Sequence, residues 1–197
     1  MSKNFDQLIN SYLENKIGID TGFITPSLSE GLRQNILQLQ NDDRMVAAGI
    51  GNDIVSDAHQ KIRGDKIYWM DKSHSNIFEN EFLELVNDFV GHLNETCYTG
   101  INSYEFHYAV YEEGSFYKRH KDQFRNDSNR KYSLISYLNK NWKEEDGGQL
   151  QVYQAEEIQQ IMPQSQTAVF FKSDEMEHEV LKANRQRMSV TGWLKQI

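Results

Sequence analysis

Only one cysteine, Cys97, occurs among the 197 residues, so no disulfide can form within the chain and a reducing compartment fits. Proline is almost as scarce. Pro26 and Pro163 are the only two, and no Gly/Ser-rich linker divides the chain, so a single domain over 1–197 is the simplest organisation. Positive charge is in deficit: 21 Lys and Arg against 29 Asp and Glu leave a net charge of −8. That balance argues against nucleic acid as the main partner. No apolar run reaches membrane-spanning length. The opening MSKNFDQLINSYLENK is charged and amphipathic, without the apolar core of an export signal. These absences predict a cytoplasmic protein with neither a nucleic-acid nor a membrane partner.

What is present is enough to build a core. Hydrophobic residues make up 38% and aromatics 12%, well clear of a disordered composition. The first hundred residues carry helical periodicity. Phe5, Leu8, Ile9, Tyr12 and Leu13 fall on one face of an N-terminal helix. PSLSEGLRQNILQLQ offers Ser27 and Glu30 as a capping box ahead of Leu32, Ile36 and Leu39. Phe78, Phe82, Leu85, Val86, Phe89 and Leu93 form a third stripe, which is a core face.

After Gly100 the period changes. YEFHYAVY, KYSLISYL, QLQVY, TAVFF, HEVL and MSVTGWL are short, β-branched or aromatic, and separated by polar or glycine-containing turns. Many short strands without helices between them predict a sandwich or barrel-like β fold. The chain is thus mainly β with supporting α-helices: a largely helical support region at 1–100, then a β core at 101–197.

One stretch of the β region carries chemistry. His120 and Asp122 stand two apart, and residues at i and i+2 of an extended segment share a face. One carboxylate with two imidazoles, leaving open positions opposite, suits an Fe(II) that must also bind oxygen. Of the six histidines, only His178 lies in the later β region. Nine residues beyond it Arg187 opens a strand whose parity puts Arg187, Ser189 and Thr191 on one face. A buried arginine cannot shed its charge cheaply and needs an anion. Arg185 is the rival anion partner, but it falls in the turn KANRQ.

From about Ile62 to the C-terminus the sequence resembles the 2-oxoglutarate-dependent Fe(II) dioxygenases of the prolyl 4-hydroxylase superfamily. It is most similar there to the hypoxia-inducible-factor prolyl hydroxylases and their bacterial relatives. IRGDKIYWMD, YEEGSFYKRHKD, SYLNKNW followed by DGGQL, VFFKSDEMEHEV and RMSVTGW carry the match, in the family's order. The resemblance implies a double-stranded β-helix (jelly-roll, cupin-like) core behind the N-terminal helices. It implies iron ligation by His120, Asp122 and His178, and pairing of Arg187 with the distal carboxylate of 2-oxoglutarate. Tyr137 matches a tyrosine that helps hold that carboxylate. Tyr111, Thr191 and Trp193 match walls of the co-substrate pocket.

The implied reaction is hydroxylation with O2, 2-oxoglutarate giving succinate and CO2, with ascorbate keeping the iron reduced. The implied substrate is a proline in a protein, such as a translation factor. Hydroxylation of a free amino acid or other small molecule, and a non-catalytic 2-oxoglutarate or iron sensor, are the alternatives. The sequence departs from the family in the stretch between Tyr111 and His120, one residue shorter, and in the composition of the loop at 123–131. In the family that loop closes over substrate, and an Asp65–Arg130 pair would be its counterpart anchor.

Overall fold

The structure is a computed structural model that describes residues 5–49, 62–123, 128–154 and 157–197. Residues 124–127 of the 123–131 loop therefore lie outside the described residues. Three helices form where the apolar stripes lie: α1 (Asp6–Asn15), α2 (Pro26–Asn41) and α3 (Ile77–Cys97). The start of α2 corrects the sequence reading. Thr25, not Ser27, caps the helix, its hydroxyl accepting from the Leu28 amide at 3.1 Å. Pro26 fixes the first helical residue, which leaves Ser27 inside the first turn. Asn76 caps α3 in the same way, accepting from the Phe78 and Glu79 amides. No described helix is long and apolar enough to cross a membrane.

The described residues form eleven strands, in chain order β1 (Ile17–Asp20), β2 (Val46–Ala47), β3 (Asp65–Trp69), β4 (Ser103–Tyr111), β5 (Tyr117–His120), β6 (Arg130–Tyr137), β7 (Leu150–Gln154), β8 (Glu157–Ile161), β9 (Ala168–Lys172), β10 (Glu177–Val180) and β11 (Arg187–Lys195). They form a seven-stranded sheet, β1-β9-β6-β11-β4-β3-β2, and a four-stranded sheet, β5-β10-β7-β8. These strands pair with one another antiparallel throughout. This is the double-stranded β-helix with helices on one outer face.

Strand alternation sorts the large sheet's side chains into two cores. Phe106, Tyr108, Val110, Leu134, Phe170, Met188, Val190 and Leu194 point to the helices, where they meet Leu8, Leu32, Ile36, Phe82, Val86 and Phe89. Ala109, Tyr111, Ile135, Tyr137, Val169 and Phe171 point the other way and meet Leu150, Val152, Ile161 and Val180 of the small sheet. Each such side chain contributes roughly 1.5–3 kcal/mol by burial. The site described next opens between the sheets, on this second face.

The region before Gly100 is not purely helical. β1 extends the large sheet beside β9, while β3 and β2 extend it beyond β4. These strands run for only two to five residues, too few to show a period against the helical stripes around them. β8 was equally hidden: four of its five residues are exposed, as suits a polar edge strand.

Candidate active site

β5 and β10 pair antiparallel with His120 directly opposite His178, and their rings lie 4.3 Å apart between centroids. Asp122 follows β5 by two residues and turns its carboxylate toward both rings. Its Oδ1 is 3.4 Å from His120 Nε2 and 3.7 Å from His178 Nε2. The three residues each offer one ligand atom, and these atoms all lie within 4.8 Å of one another.

Backbone carbonyls orient the imidazoles. His120 Nδ1 lies 2.8 Å from the Lys118 carbonyl and His178 Nδ1 lies 3.2 Å from the Met176 carbonyl. Each Nδ1 therefore carries the hydrogen, and each Nε2 presents its lone pair to Asp122's side of the cavity. The Tyr117 ring stacks on His120 at 3.6 Å, and the Arg63 guanidinium covers the far side of Tyr117. On Asp122 the second oxygen accepts from Ser133 Oγ at 2.6 Å, and Ser133 Oγ is 2.9 Å from Ser173 Oγ.

Protonation agrees with this geometry. Burial would raise the Asp122 carboxyl, but His178, His120 and the Ser133 hydroxyl together hold it well below the usual carboxylate range. Burial lowers His178 to about 4, with Asp122 opposing. At neutral pH Asp122 is thus a carboxylate and His178 a neutral imidazole, and with His120 they make up the donor set that suits Fe(II). Burial also lowers His107, a second cavity histidine, to about 4. The unfolded chain binds protons at both histidines near 6.5, whereas the folded chain refuses them until about 4. The metal-free protein should therefore lose stability as pH falls from 6.5 toward 4, by about 1.4 kcal/mol per pH unit for each histidine. Urea midpoints at pH 7.5 and pH 5 test this; equal midpoints would contradict it.

The same cavity holds Arg187, Tyr111, Thr191 and Trp193, together with His107, Ile135 and Arg130. Register explains the arrangement. β11 lies between β4 and β6, setting Arg187 opposite Tyr111, Ser189 opposite Ala109 and Tyr137, and Thr191 opposite His107 and Ile135. The Arg187 guanidinium lies 5.0 Å from the Tyr111 ring and 4.9 Å from the Tyr137 ring. It is 2% exposed, donates through Nε to the Gly148 carbonyl at 2.8 Å, and faces no carboxylate among the described residues. The Tyr137 hydroxyl beside it is buried without a hydrogen-bond partner among the described residues. A buried cation without a counter-charge and an orphaned hydroxyl together fit the carboxylate of a small acid.

The DGG turn serves this arginine. Gly148 has φ +64°, and a Cβ there would lie 3.1 Å from Arg187 Cδ. Gly148→Ala should cost about 1 kcal/mol or more of stability through the left-handed backbone. It should also weaken binding of the small acid by displacing Arg187. Thermal melts and 2-oxoglutarate titration test the pair; loss of stability with unchanged affinity would leave Gly148 a backbone role only.

Arg185, the rival that falls in a turn, is half-buried, pairs with Asp146 at 3.0 Å and is not part of the cavity lining. Asp65 pairs with Arg63 at 2.6 Å, and Arg130 pairs with Glu105 at 2.8 Å, in place of an Asp65–Arg130 contact. Arg63 and Asp65 are two apart on extended chain, so they share a side. Sequence reasoning passed over Tyr117, Ser133 and His107. Parity with Tyr111 could have put His107 in the cavity; Ser133's bond to Asp122 spans two elements and had no local signal.

Residues 106–195 match the 2OG-Fe(II) oxygenase superfamily. Over 149 residues the chain is 32% identical to human Egl nine homolog 1, covering 70% of this chain and 34% of the relative. The rat protein of the same name is 31% identical over 149 residues. The chain thus spans about a third of the length of the human relative it matches. Among solved structures, a Pseudomonas putida prolyl-4-hydroxylase superposes with a TM-score of 0.88 at 28% identity, covering 98% of this chain and 99% of that one. A Trichoplax adhaerens prolyl hydroxylase, solved with a hypoxia inducible factor peptide fragment, gives 0.87 at 25% identity, with 97% and 88% covered. Fold and site define a 2OG-Fe(II) oxygenase domain. Within that class the chain is homologous to the Egl nine prolyl hydroxylases and to the bacterial prolyl 4-hydroxylases.

Proposed function

We propose that this protein is a 2-oxoglutarate- and O2-dependent Fe(II) hydroxylase acting on a proline of a protein substrate. The observation that carries the reading is one cavity holding both the His120, Asp122 and His178 donors and the unpaired guanidinium of Arg187. His120, Asp122 and His178 would hold Fe(II), which when bound supplies the oxygen chemistry that no amino-acid side chain can.

The protein's own residues bind, orient and exclude water. Arg187 and Tyr137 take the distal carboxylate of 2-oxoglutarate by charge-assisted hydrogen bonds, which fixes which end of the acid faces the metal donors. Tyr111, Thr191 and Trp193 wall the cavity. Ser133 holds Asp122 in one rotamer, and Tyr117 does the same for the His120 ring. Keeping the His178 imidazole neutral leaves its Nε2 lone pair available without a prior proton loss.

The homology to prolyl hydroxylases supports proline as the target, giving succinate and CO2 alongside hydroxyproline. A translation factor is an abundant protein of the kind such an enzyme would meet. Ascorbate would keep the iron reduced, and the single cysteine supports a cytoplasmic site of action. A sensor without turnover would use the same donors, so turnover decides between them. The test incubates an enzyme-free cell lysate with the protein, Fe(II), 2-oxoglutarate and ascorbate, then reads protein mass spectra and succinate. A one-oxygen gain on a proline of one protein supports the proposal. Succinate without protein oxidation would replace it with a small-molecule hydroxylase, and neither signal from iron-loaded protein with the sensor.

A further inference from the structure

One cavity residue has no part in holding iron or 2-oxoglutarate. His107 is 3% exposed, and neither of its ring nitrogens has a hydrogen-bond partner among the described residues; Nδ1 is fully enclosed. Its ring packs beside two indoles, 4.9 Å from Trp69 and 5.4 Å from Trp193, which are themselves 6.3 Å apart. Trp193 Nε1 is likewise buried without a partner. Two orphaned polar groups side by side in a functional cavity are costly to the free protein and call for a ligand that completes them.

That ligand is not the small acid. The acid's anchor, Arg187, stands opposite Tyr111, four residues along β4 from His107, or about 13 Å of strand. His107 instead lies beside Trp69, which is 43% exposed at the surface. The charged groups nearest it pair with one another: Arg63 with Asp65, and Arg130 with Glu105. Asp122 belongs to the donor cluster. Among the described residues no lining carboxylate remains for the ammonium of a free amino acid. The wall offers rings and a neutral imidazole with one donor and one acceptor, the complement of a peptide group.

We propose that His107 is a specificity-determining residue of the substrate site, hydrogen-bonding a peptide group next to the target residue so that the cavity favours proline within a chain over the free amino acid. The inference rests on the hydroxylase reading above. In the free protein this site trades stability for recognition. Trp193 borders the same peptide group, with its indole face held by the Arg130 guanidinium at 3.4 Å.

The test compares the iron-loaded full chain with His107→Leu and His107→Gln. Leucine fills the space without polar atoms, and glutamine keeps one donor and one acceptor. The probes are a set of N-acetylated, C-amidated proline peptides and free L-proline, and the readout is probe-stimulated succinate release. With wild type the capped peptides should stimulate more than free proline. His107→Leu should raise their KM about tenfold or more with a smaller change in kcat, and His107→Gln should recover most of that loss. Removing an unsatisfied buried group should also raise the melting temperature of His107→Leu, whereas a purely structural histidine would lower it. Unchanged KM in His107→Leu overturns the inference, and so does stimulation by free proline equal to that by the capped peptides. Consumption of 2-oxoglutarate that no capped peptide stimulates also overturns it, leaving the oxygenase reading intact. Absence of 2-oxoglutarate consumption in every variant overturns that reading and this inference together.

Discussion

His178→Ala is expected to bring 2-oxoglutarate turnover below detection and to cut iron retention by more than about 100-fold. Loss of a residue that merely supports a metal ligand already costs 10–100-fold in affinity, and His178 would be a ligand itself. Its ring is buried, its Nδ1 is committed to the Met176 carbonyl, and its Nε2 has only Asp122 and the cavity before it. Asp122→Ala and His120→Ala should behave alike, since each removes one of three donors that lie within 4.8 Å of one another. A large-to-small change at a 3% exposed position also destabilises, so circular dichroism and a melt must accompany the assay. Iron counted per folded chain separates ligand loss from unfolding. Folded His178→Ala with full iron and normal succinate production would sink the assignment of this cluster.

Arg187→Met should raise the half-saturating 2-oxoglutarate concentration about 10- to 150-fold, the equivalent of a charged hydrogen bond worth roughly 1.5–3 kcal/mol. The expected pattern is a large change in KM for 2-oxoglutarate, with iron content unaltered. Stability should move the other way. Arg187 is a buried cation with no described carboxylate, held only by the Gly148 carbonyl and the Tyr111 and Tyr137 faces. Replacing it with an apolar chain of similar length removes that desolvation penalty, so the melting temperature of the acid-free protein should hold or rise. A rise in stability together with loss of affinity would mark Arg187 as a binding residue. Unchanged 2-oxoglutarate dependence would mean another group takes the carboxylate, and Arg185, half-buried and paired with Asp146, lies outside the cavity lining.

Local pattern alone settled much of this protein. The stripes Leu8–Ile9, Leu32–Ile36–Leu39 and Phe82–Val86–Phe89–Leu93 gave three helices, because a 3.6-residue period has one stable solution when one face must be buried. Six short segments after Gly100 gave six strands, because β-branched and aromatic runs bounded by turn residues suit a pleated, buried surface. The parity of Arg187, Ser189 and Thr191 was likewise legible, since neighbours two apart on a strand share a face, whereas Asp122 reaches His120 from a bend beyond the end of β5. Tertiary structure decided what lies across strands. Pairing of β5 with β10 put His178 opposite His120, fifty-eight residues later in the chain, and the β11 register put Arg187 between Tyr111 and Tyr137. It gave Asp65 to Arg63 and Arg130 to Glu105, exchanging the partners expected from the loop. It also left His107 and Trp193 buried without partners, which no local pattern encodes, because hydrogen-bond satisfaction depends on what the rest of the chain brings within about 3 Å.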